Sequence, residues 1–262
     1  MKDYPKKSLG QHFLTDNNIV RKIVNLTQVS GKNIIEIGPG EGALTDEILR
    51  RKPKLLILIE KDFKLINKLK TKYFKNKLIK IYHSDILKFD IEKKIKKNTI
   101  VFGNLPYNIS SQILVKFIRF KKWPPKFNSL VFMFQKELGE KIIGKYFSKD
   151  YGRLSILANY RLNILNKFLV SSNCFFPKPK VKSIIIHFSP KNNKSYKIKD
   201  VNNLEKVTNS LFSNKRKMIN KNLKRLISNQ KIKRISNLNT NLRPSEVSPE
   251  IYYKITEFYE KN

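Results

Sequence analysis

Apolar residues fall along this chain in two rhythms. Short apolar-rich runs occupy residues 33–37 (Asn-Ile-Ile-Glu-Ile), 55–60, 78–82, 99–102, 129–134 and 182–188. They are rich in Ile, Leu, Val and Phe and too short for helices, so they predict strands. Between them, apolar positions recur at helical spacing over Ala43–Arg51, Phe63–Tyr73, Ser111–Arg119, Lys136–Phe147 and Arg153–Tyr160. Strand alternating with helix predicts parallel crossovers: an α/β, doubly wound sheet over roughly residues 20–188, with ligands at the strands' C-terminal ends. Pro190 and the polar run Lys-Asn-Asn-Lys-Ser-Tyr-Lys then break the pattern. Beyond them Val201–Ile227 and Pro249–Tyr259 read as helices, which divides the chain into a domain over 1–190 and a helical one over 191–262. Within Leu211–Ile227, Phe212, Ile219, Leu223 and Leu226 fall near one helical face.

No apolar run approaches the roughly 18 residues a membrane span needs, and the first residues hold no apolar stretch of signal-peptide length. The expectation is a cytoplasmic chain that does not enter a membrane. The single cysteine, Cys174, can build neither an internal disulfide nor a cysteine-based metal site, and no metal is expected.

Charge adds a partner to this picture. Lys and Arg number 55 against 20 Asp and Glu, a net charge of +35. AT-rich coding inflates lysine but gives no reason for acids to be scarce, so a polyanion is expected to bind. Residues 206–245 carry 11 basic residues and no acid. Lys215, Arg216, Lys217 and Lys221 in that block, with Lys178 and Lys180 further upstream, are the candidate RNA contacts. Self-repulsion at this charge favours a monomer.

Glycine usage locates a ligand. Of nine glycines, three are packed into five residues, Gly38, Gly40 and Gly42, directly behind the 33–37 strand, and none follows Gly152. Such clustering predicts a tight strand-to-helix turn whose backbone lies against a ligand. A dinucleotide turn has the spacing G-x-G-x-x-G and receives a pyrophosphate. Here the spacing is G-x-G-x-G, Pro39 removes a donor and Glu41 adds negative charge, so NAD fits poorly. S-adenosylmethionine, with an amino-acid end and a sulfonium, fits better. Glu60 ends the second strand, where an acid can accept ribose hydroxyls, and Asp85 follows the third, where it can accept from an adenine amino group.

After the fourth strand comes Phe102-Gly103-Asn104-Leu105-Pro106-Tyr107. An exocyclic amine is a poor nucleophile because its lone pair is delocalised into the base. Two acceptors on its two protons, the Asn104 side-chain oxygen and the Leu105 carbonyl, would favour a pyramidal nitrogen. Tyr107 can stack on the flat base, which must be unstacked or flipped out to be reached. A second aromatic, Phe175, stands in Phe175-Phe176-Pro177-Lys178-Pro179-Lys180-Val181 and can close on the base's other face. His83 and His187 read as structural, and Cys174 as a small core residue.

Taken together these motifs resemble the small-subunit (16S) ribosomal RNA adenine N6,N6-dimethyltransferases, the family whose loss confers kasugamycin resistance. The matching segments are Gly10-Gln11-His12-Phe13-Leu14, Glu36 through Thr45, Glu60, Asp85, Phe102 through Ser110, Gln135-Lys136-Glu137, Tyr151 through Ser155, and 175–181, with Asn214-Lys215-Arg216-Lys217 in the basic tail. The resemblance implies a Rossmann-like methyltransferase domain and a small α-helical C-terminal domain that helps seat the subunit. It implies dimethylation of two adjacent adenosines in the 3′-terminal hairpin of that RNA, within a late 30S assembly intermediate. By motif position His12, Leu14, Gly38, Glu60, Asp85 and Asn104 would contact S-adenosylmethionine, as would Gly40 from its place in the turn. Asn104, Leu105 and Pro106 would position the amine, and Tyr107 and Phe175 would stack the base. Two departures stand out: His12 where many members carry Asn, and Ser84-Asp85-Ile86 for the commoner Gly-Asp-Ala. The alternatives are the related large-subunit methyltransferases of macrolide resistance and a non-catalytic ribosome assembly factor.

If six or so cations neutralise phosphates, affinity for RNA should fall about 1000-fold between roughly 50 and 200 mM salt. A filter-binding titration across that range checks it, and a salt-independent affinity would remove the charge argument.

Overall fold

Residues 11–192 and 195–261 are described in a computed structural model of the chain; Gly10 lies outside the described residues. By its contacts the chain forms two compact units. The first comprises residues up to 116, 124–139 and 163–190, and the second 117–123, 140–162 and 191–262. A single boundary at 190 therefore misses two internal segments that group with the tail.

In chain order the strands are β1 (Phe13–Leu14), β2 (Asn33–Ile37), β3 (Leu55–Glu60), β4 (Ile79–His83), β5 (Thr99–Asn104), β6 (Phe127–Gln135), β7 (Leu162–Val170), β8 (Phe175–Phe176) and β9 (Ser183–Pro190). The helices are α1 (Asn17–Val24), α2 (Ala43–Arg50), α3 (Phe63–Lys72), α4 (Ser110–Ile118), α5 (Lys136–Ile142), α6 (Arg153–Arg161), α7 (Val201–Phe212), α8 (Asn220–Leu226), α9 (Asn229–Lys233) and α10 (Pro249–Tyr259).

Seven strands make one sheet in the order β4-β3-β2-β5-β6-β9-β7. β4, β3, β2, β5 and β6 run parallel, and β9 pairs antiparallel with β6. The inner strands are mostly apolar on both faces because both faces are covered. Ile34, Leu56, Leu58, Ile100 and Phe102 pack with Ile23, Val24, Leu44, Ile48 and Leu69 in one buried cluster. Four parallel strands, β2 to β5, thus present their C-terminal ends at one edge, where a doubly wound sheet binds ligands. Beside this sheet β1 and β8 form a two-stranded antiparallel pair, Phe13 opposite Phe176 and Leu14 opposite Phe175.

All six predicted strands form, and the predicted helices begin within a residue of expectation. Two end early. The helix expected over Lys136–Phe147 stops at Ile142, and a Cβ on Gly144 would clash with the backbone of Asp150, so the chain doubles back there too tightly for a helix to continue. The helix expected over Val201–Ile227 is two. α7 ends at Phe212, the exposed Ser213–Lys217 segment turns, and Ile219 N–H donates to the Leu242 carbonyl at 2.9 Å. Asn222 Nδ2 donates to Ser213 Oγ at 3.1 Å, tying α8 back across the turn. Phe212, Ile219 and Leu223 are buried all the same, and Leu226 is half-buried. Unforeseen were the short elements β1, β8 and α9, α1, capped by Asp16 accepting from Asn18 and Ile19 N–H at 2.8 and 3.1 Å, and β7, whose middle is exposed.

The second unit builds its own core. Leu204, Val207, Leu211, Leu223, Tyr252 and Ile255 are buried, and Phe212 stacks on Tyr252 with ring centroids 5.7 Å apart. Tyr151 and Tyr253 hydroxyls donate to the Val247 and Ile156 carbonyls at 2.9 and 3.2 Å, joining α6 to the tail. Arg161, 7% exposed, donates to the Ile118 carbonyl and, at 2.7 Å, to that of Phe120, with its guanidinium 4.6 Å from the Trp123 ring. Among the described residues no helix is long and apolar enough to cross a membrane.

Arg161→Ala would leave two buried carbonyls without their charged donor, and it should lower stability by about 2–4 kcal/mol. Urea denaturation of the native and variant chains checks this.

Candidate active site

The C-terminal strand edge of the first unit encloses a cavity of about 490 Å³, the size of a small-molecule site. Its walls are Gln11–Thr15 from the N-terminal segment, the β2–α2 turn, Glu60 and Lys61 after β3, Ser84–Ile86 after β4, and Asn104–Ile109 after β5. Residues 92 positions apart in sequence thus face one space.

The glycine turn behaves as its spacing implies. Gly38, Gly40 and Gly42 all have positive φ, 66°, 58° and 91°. At Gly40 a side chain is excluded twice over: the left-handed backbone strains it, and its Cβ would sit 2.9 Å from Phe13 Cδ1. Phe13 therefore roofs the turn. Gly40 N–H donates to Glu60 Oε2 at 3.3 Å.

Glu60 is buried and held by backbone. Its Oε1 accepts from the N–H groups of Lys61 and Asp62 at 2.8 and 2.9 Å, so the lone pair open to a ribose diol is on Oε2. Burial pushes its carboxyl above the ordinary range. Asp85 is already engaged as well: Oδ1 accepts from Leu87 N–H at 2.9 Å and Oδ2 from Lys61 Nζ at 2.8 Å. The hydrogen bond from Lys61 holds its carboxyl below the usual value. Ile86, one of the two departures after β4, is buried in the cavity wall.

The Asn104 loop is fixed by side-chain hydrogen bonds. Asn104 Nδ2 donates to the His12 carbonyl at 2.9 Å. A carbonyl only accepts, so the amide must turn its nitrogen toward His12 and its oxygen away, open to a donor in the cavity. The Tyr107 hydroxyl shares a 2.7 Å hydrogen bond with Ser183 Oγ at the start of β9, and burial pushes its pKa above the ordinary phenol value. The His12 ring stacks on Tyr107 with centroids 5.4 Å apart and planes 28° apart. Its Nδ1 lies 2.7 Å from the Pro177 carbonyl.

The expected residues fall into three groups. His12, Leu14, Gly38, Gly40, Glu60, Asp85, Asn104, Leu105, Pro106 and Tyr107 all line the cavity. Phe175 does not: it is 4% exposed and packed in the core beside Leu14, because the β1–β8 pairing turns its ring inward and turns Phe176, 58% exposed, outward. The expectation of a second aromatic clamp at Phe175 is corrected accordingly. Lys178, Lys180, Lys215, Arg216, Lys217 and Lys221 are exposed, the first two in the first unit and the rest in the second. His187 bonds Ser129 Oγ at 3.1 Å within the β6–β9 pair and His83 the Lys61 carbonyl at 3.1 Å, both structural contacts. Sequence reasoning gave no role to Phe13, Lys61 and Ser183, which hold other site residues in place: Phe13 over Gly40, Lys61 on Asp85 and Ser183 on Tyr107. Among the described residues no cluster of His, Cys, Asp or Glu could hold a metal ion.

The profile of the ribosomal RNA adenine dimethylase family matches residues 3–261. A protein of Pelagibacter ubique, Ribosomal RNA small subunit methyltransferase A, is 43% identical over 97% of this chain and 97% of its own. Its namesake in Mycoplasma mobile is 38% identical over 98% of each. Among solved structures, a dimethyladenosine transferase from Plasmodium falciparum superposes with a TM-score of 0.73 at 25% identity, covering 93% of this chain and 95% of that one. A 23S rRNA methyltransferase, ErmE, shares the fold with a TM-score of 0.68 at 21% identity over 95% of this chain and 99% of that one.

Glu36 lies under the glycine turn and is 1% exposed. Its Oε2 accepts from Thr45 Oγ1 at 2.6 Å. Burial pushes its carboxyl up to about 8, with Asp46 and Glu60 adding to the shift and Lys72 opposing it. Between the ordinary value and that raised one, the unfolded chain has lost a proton that the folded chain keeps. Stability therefore falls as pH rises through this window, and the loss is complete above it. Glu36→Gln keeps an acceptor for Thr45 and carries no such proton. Thermal melts at about pH 5 and about pH 9 should show the variant gaining on the native chain as pH rises; an unchanged gap would mean that Glu36 is ionised in the fold.

Proposed function

This chain belongs to the ribosomal RNA adenine dimethylase family, and from that premise we propose that it dimethylates N6 of two adjacent adenosines in the 3′-terminal hairpin of small-subunit ribosomal RNA, late in 30S assembly. It is an S-adenosylmethionine-dependent rRNA adenine dimethyltransferase with a Rossmann-like fold. The small subunit as substrate is supported by the curated relatives, which carry that subunit in their name. A ribosomal RNA enzyme works where subunits assemble, which supports a cytoplasmic location. The net charge of +35 favours a monomer on RNA.

The observation that carries the chemistry is the fixed polarity of Asn104 beside Tyr107. The cavity fits the cofactor: the Gly38–Gly42 turn lets backbone approach it, Glu60 Oε2 offers an acceptor for ribose, and Asp85 stands at the adenine end. S-adenosylmethionine, when bound, supplies an electrophilic methyl group. The chain's residues prepare the nucleophile. Asn104 Oδ1 accepts one proton of the target amine and the Leu105 carbonyl the other, which draws the nitrogen lone pair out of conjugation. Tyr107 gives the unstacked base a flat surface. The methylated nitrogen sheds its extra proton readily, so no strong base is needed at Asn104. Lys178, Lys180, Lys215, Arg216, Lys217 and Lys221 are assigned to RNA phosphates, and their exposure supports this.

The test is methyl transfer from labelled S-adenosylmethionine to undermethylated small subunits and to large subunits offered separately, followed by nucleoside analysis. Dimethyladenosine from the small subunit alone is expected. Label in large-subunit RNA would assign the chain to the macrolide-resistance kind, and binding without label would make it an assembly factor. Asn104→Ala should still bind RNA but methylate it at least about 100-fold more slowly.

A further inference from the structure

We propose that the end of α3 is a second RNA contact, carried by the first unit: an unpaired base stacks on Phe74 while the lysines beside it meet the flanking phosphates. The proposal deepens the RNA-methyltransferase reading and rests on it for the choice of RNA as partner.

α3 buries Leu65, Ile66 and Leu69, and Tyr73 at its end is buried with them. Phe74 comes one residue later, roughly 100° further round the axis, and is 76% exposed. The turn behind it is tied down. Asn76 N–H donates to the Tyr73 carbonyl at 2.9 Å, and Asn76 Oδ1 accepts from Leu78 N–H at 3.0 Å. The ring is thus presented by hydrogen-bonded backbone. Together with Lys72, Tyr73, Lys75, Asn76 and Lys77 it lines an open hollow of about 520 Å³.

An exposed apolar side chain is ordinary by itself. This one stands within residues 63–84, which hold seven lysines and no acid. Lys70, Lys75, Lys77 and Lys80 are exposed and have no acidic partner among the described residues. Lys75 Nζ lies 5.3 Å from the centroid of the Phe74 ring, within cation–π range. Glu41 and Asp46, which reach the same helix, are paired with Lys68 at 3.6 Å and Lys72 at 2.6 Å. A flat apolar ring among uncompensated cations fits a ligand that is both planar and anionic. An acidic protein would use the lysines alone, whereas unpaired RNA uses ring and lysines together.

The hollow adjoins the active-site cavity. Lys72 Nζ donates to the Glu41 carbonyl and Asp46, and the Tyr73 hydroxyl to Asp46 and the Gly42 carbonyl; Glu41 and Asp46 are themselves part of the cavity wall. A strand held at Phe74 is therefore anchored on the catalytic unit, beside the glycine turn.

The probes are a short oligoadenylate and a fully paired RNA of the same charge, titrated against the full chain over a range of salt. Phe74→Ala should weaken oligoadenylate binding about 5-fold or more, the worth of one base stacked on an aromatic ring. Its affinity for the duplex should stay within about 2-fold, the scatter of a surface change. Replacing Lys75 and Lys77 together by Gln should lower the slope of log affinity against log salt by about 1.4 on the single strand, about 0.7 for each phosphate released, while Phe74→Ala leaves that slope alone. Phe74→Trp should restore the affinity, and its fluorescence, read against the one native tryptophan, Trp123, should be quenched by oligoadenylate and not by the duplex. Unchanged thermal melts show that the variants are folded. Equal losses on both RNAs, no loss on either, or no quenching in Phe74→Trp would each overturn the proposal, and the last two results would leave an acidic protein as the occupant. Methylation by the native chain is measured apart: binding at Phe74 without methylation would defeat the enzymatic reading and leave the contact standing.

Discussion

One main-chain carbonyl sets the chemical polarity of the whole site. Asn104 sits at the end of β5, and its amide can present either an oxygen or a nitrogen to the cavity. The two orientations are nearly identical in shape and opposite in chemistry: one welcomes an amine, the other repels it. The His12 carbonyl, 2.9 Å from Nδ2, decides between them. For that carbonyl to be in place, the N-terminal segment must lie across the strand ends, and β1 pairing with β8 holds it there. Thr15 N–H adds a 2.9 Å bond to the Cys174 carbonyl, closing the same junction. The Phe13 side chain next to it roofs Gly40, so one short segment serves the cofactor turn and the acceptor loop together.

The parts that sequence reasoning reads well are those where local chemistry leaves one solution. Ile34, Ile35 and Ile37 point to both sides of the strand because both sheet faces are covered, and β2 has the expected bounds. Gly38, Gly40 and Gly42 cluster because the turn demands left-handed backbone in a chain that otherwise uses few glycines. The parts read poorly are those decided by distant partners. β7 is exposed along most of its length, so it lacks the alternation that marks a strand, and its place in the sheet comes from pairing with β9. The break after Phe212 has no proline or glycine to announce it; it is held by Asn222 and Leu242.

Phe175 and Phe176 show the same limit at single-residue scale. Two adjacent phenylalanines in a strand must point to opposite sides, and sequence says only that one goes in and one goes out. The register of Leu14 with Phe175 settles which. The candidate site was otherwise legible because its groups sit at strand ends, where a doubly wound sheet always gathers them. What sequence does not reveal is the supporting layer of Phe13, Lys61 and Ser183, whose contacts with Gly40, Asp85 and Tyr107 join residues far apart in the chain.

The second unit is written into the chain in three pieces, and that has a consequence for how the protein can be cut and inherited. Tyr151 and Ile156, from the middle of the sequence, are hydrogen-bonded to Val247 and Tyr253 near its end. A chain stopped at Pro190 would not be a smaller, self-contained enzyme, because it would retain one half of a core whose other half had been discarded. The tail alone would be no better off, having lost the α6 surface on which α10 rests. The two units are therefore inherited together, and a recombination breakpoint at the obvious polar linker would split the unit it seemed to spare.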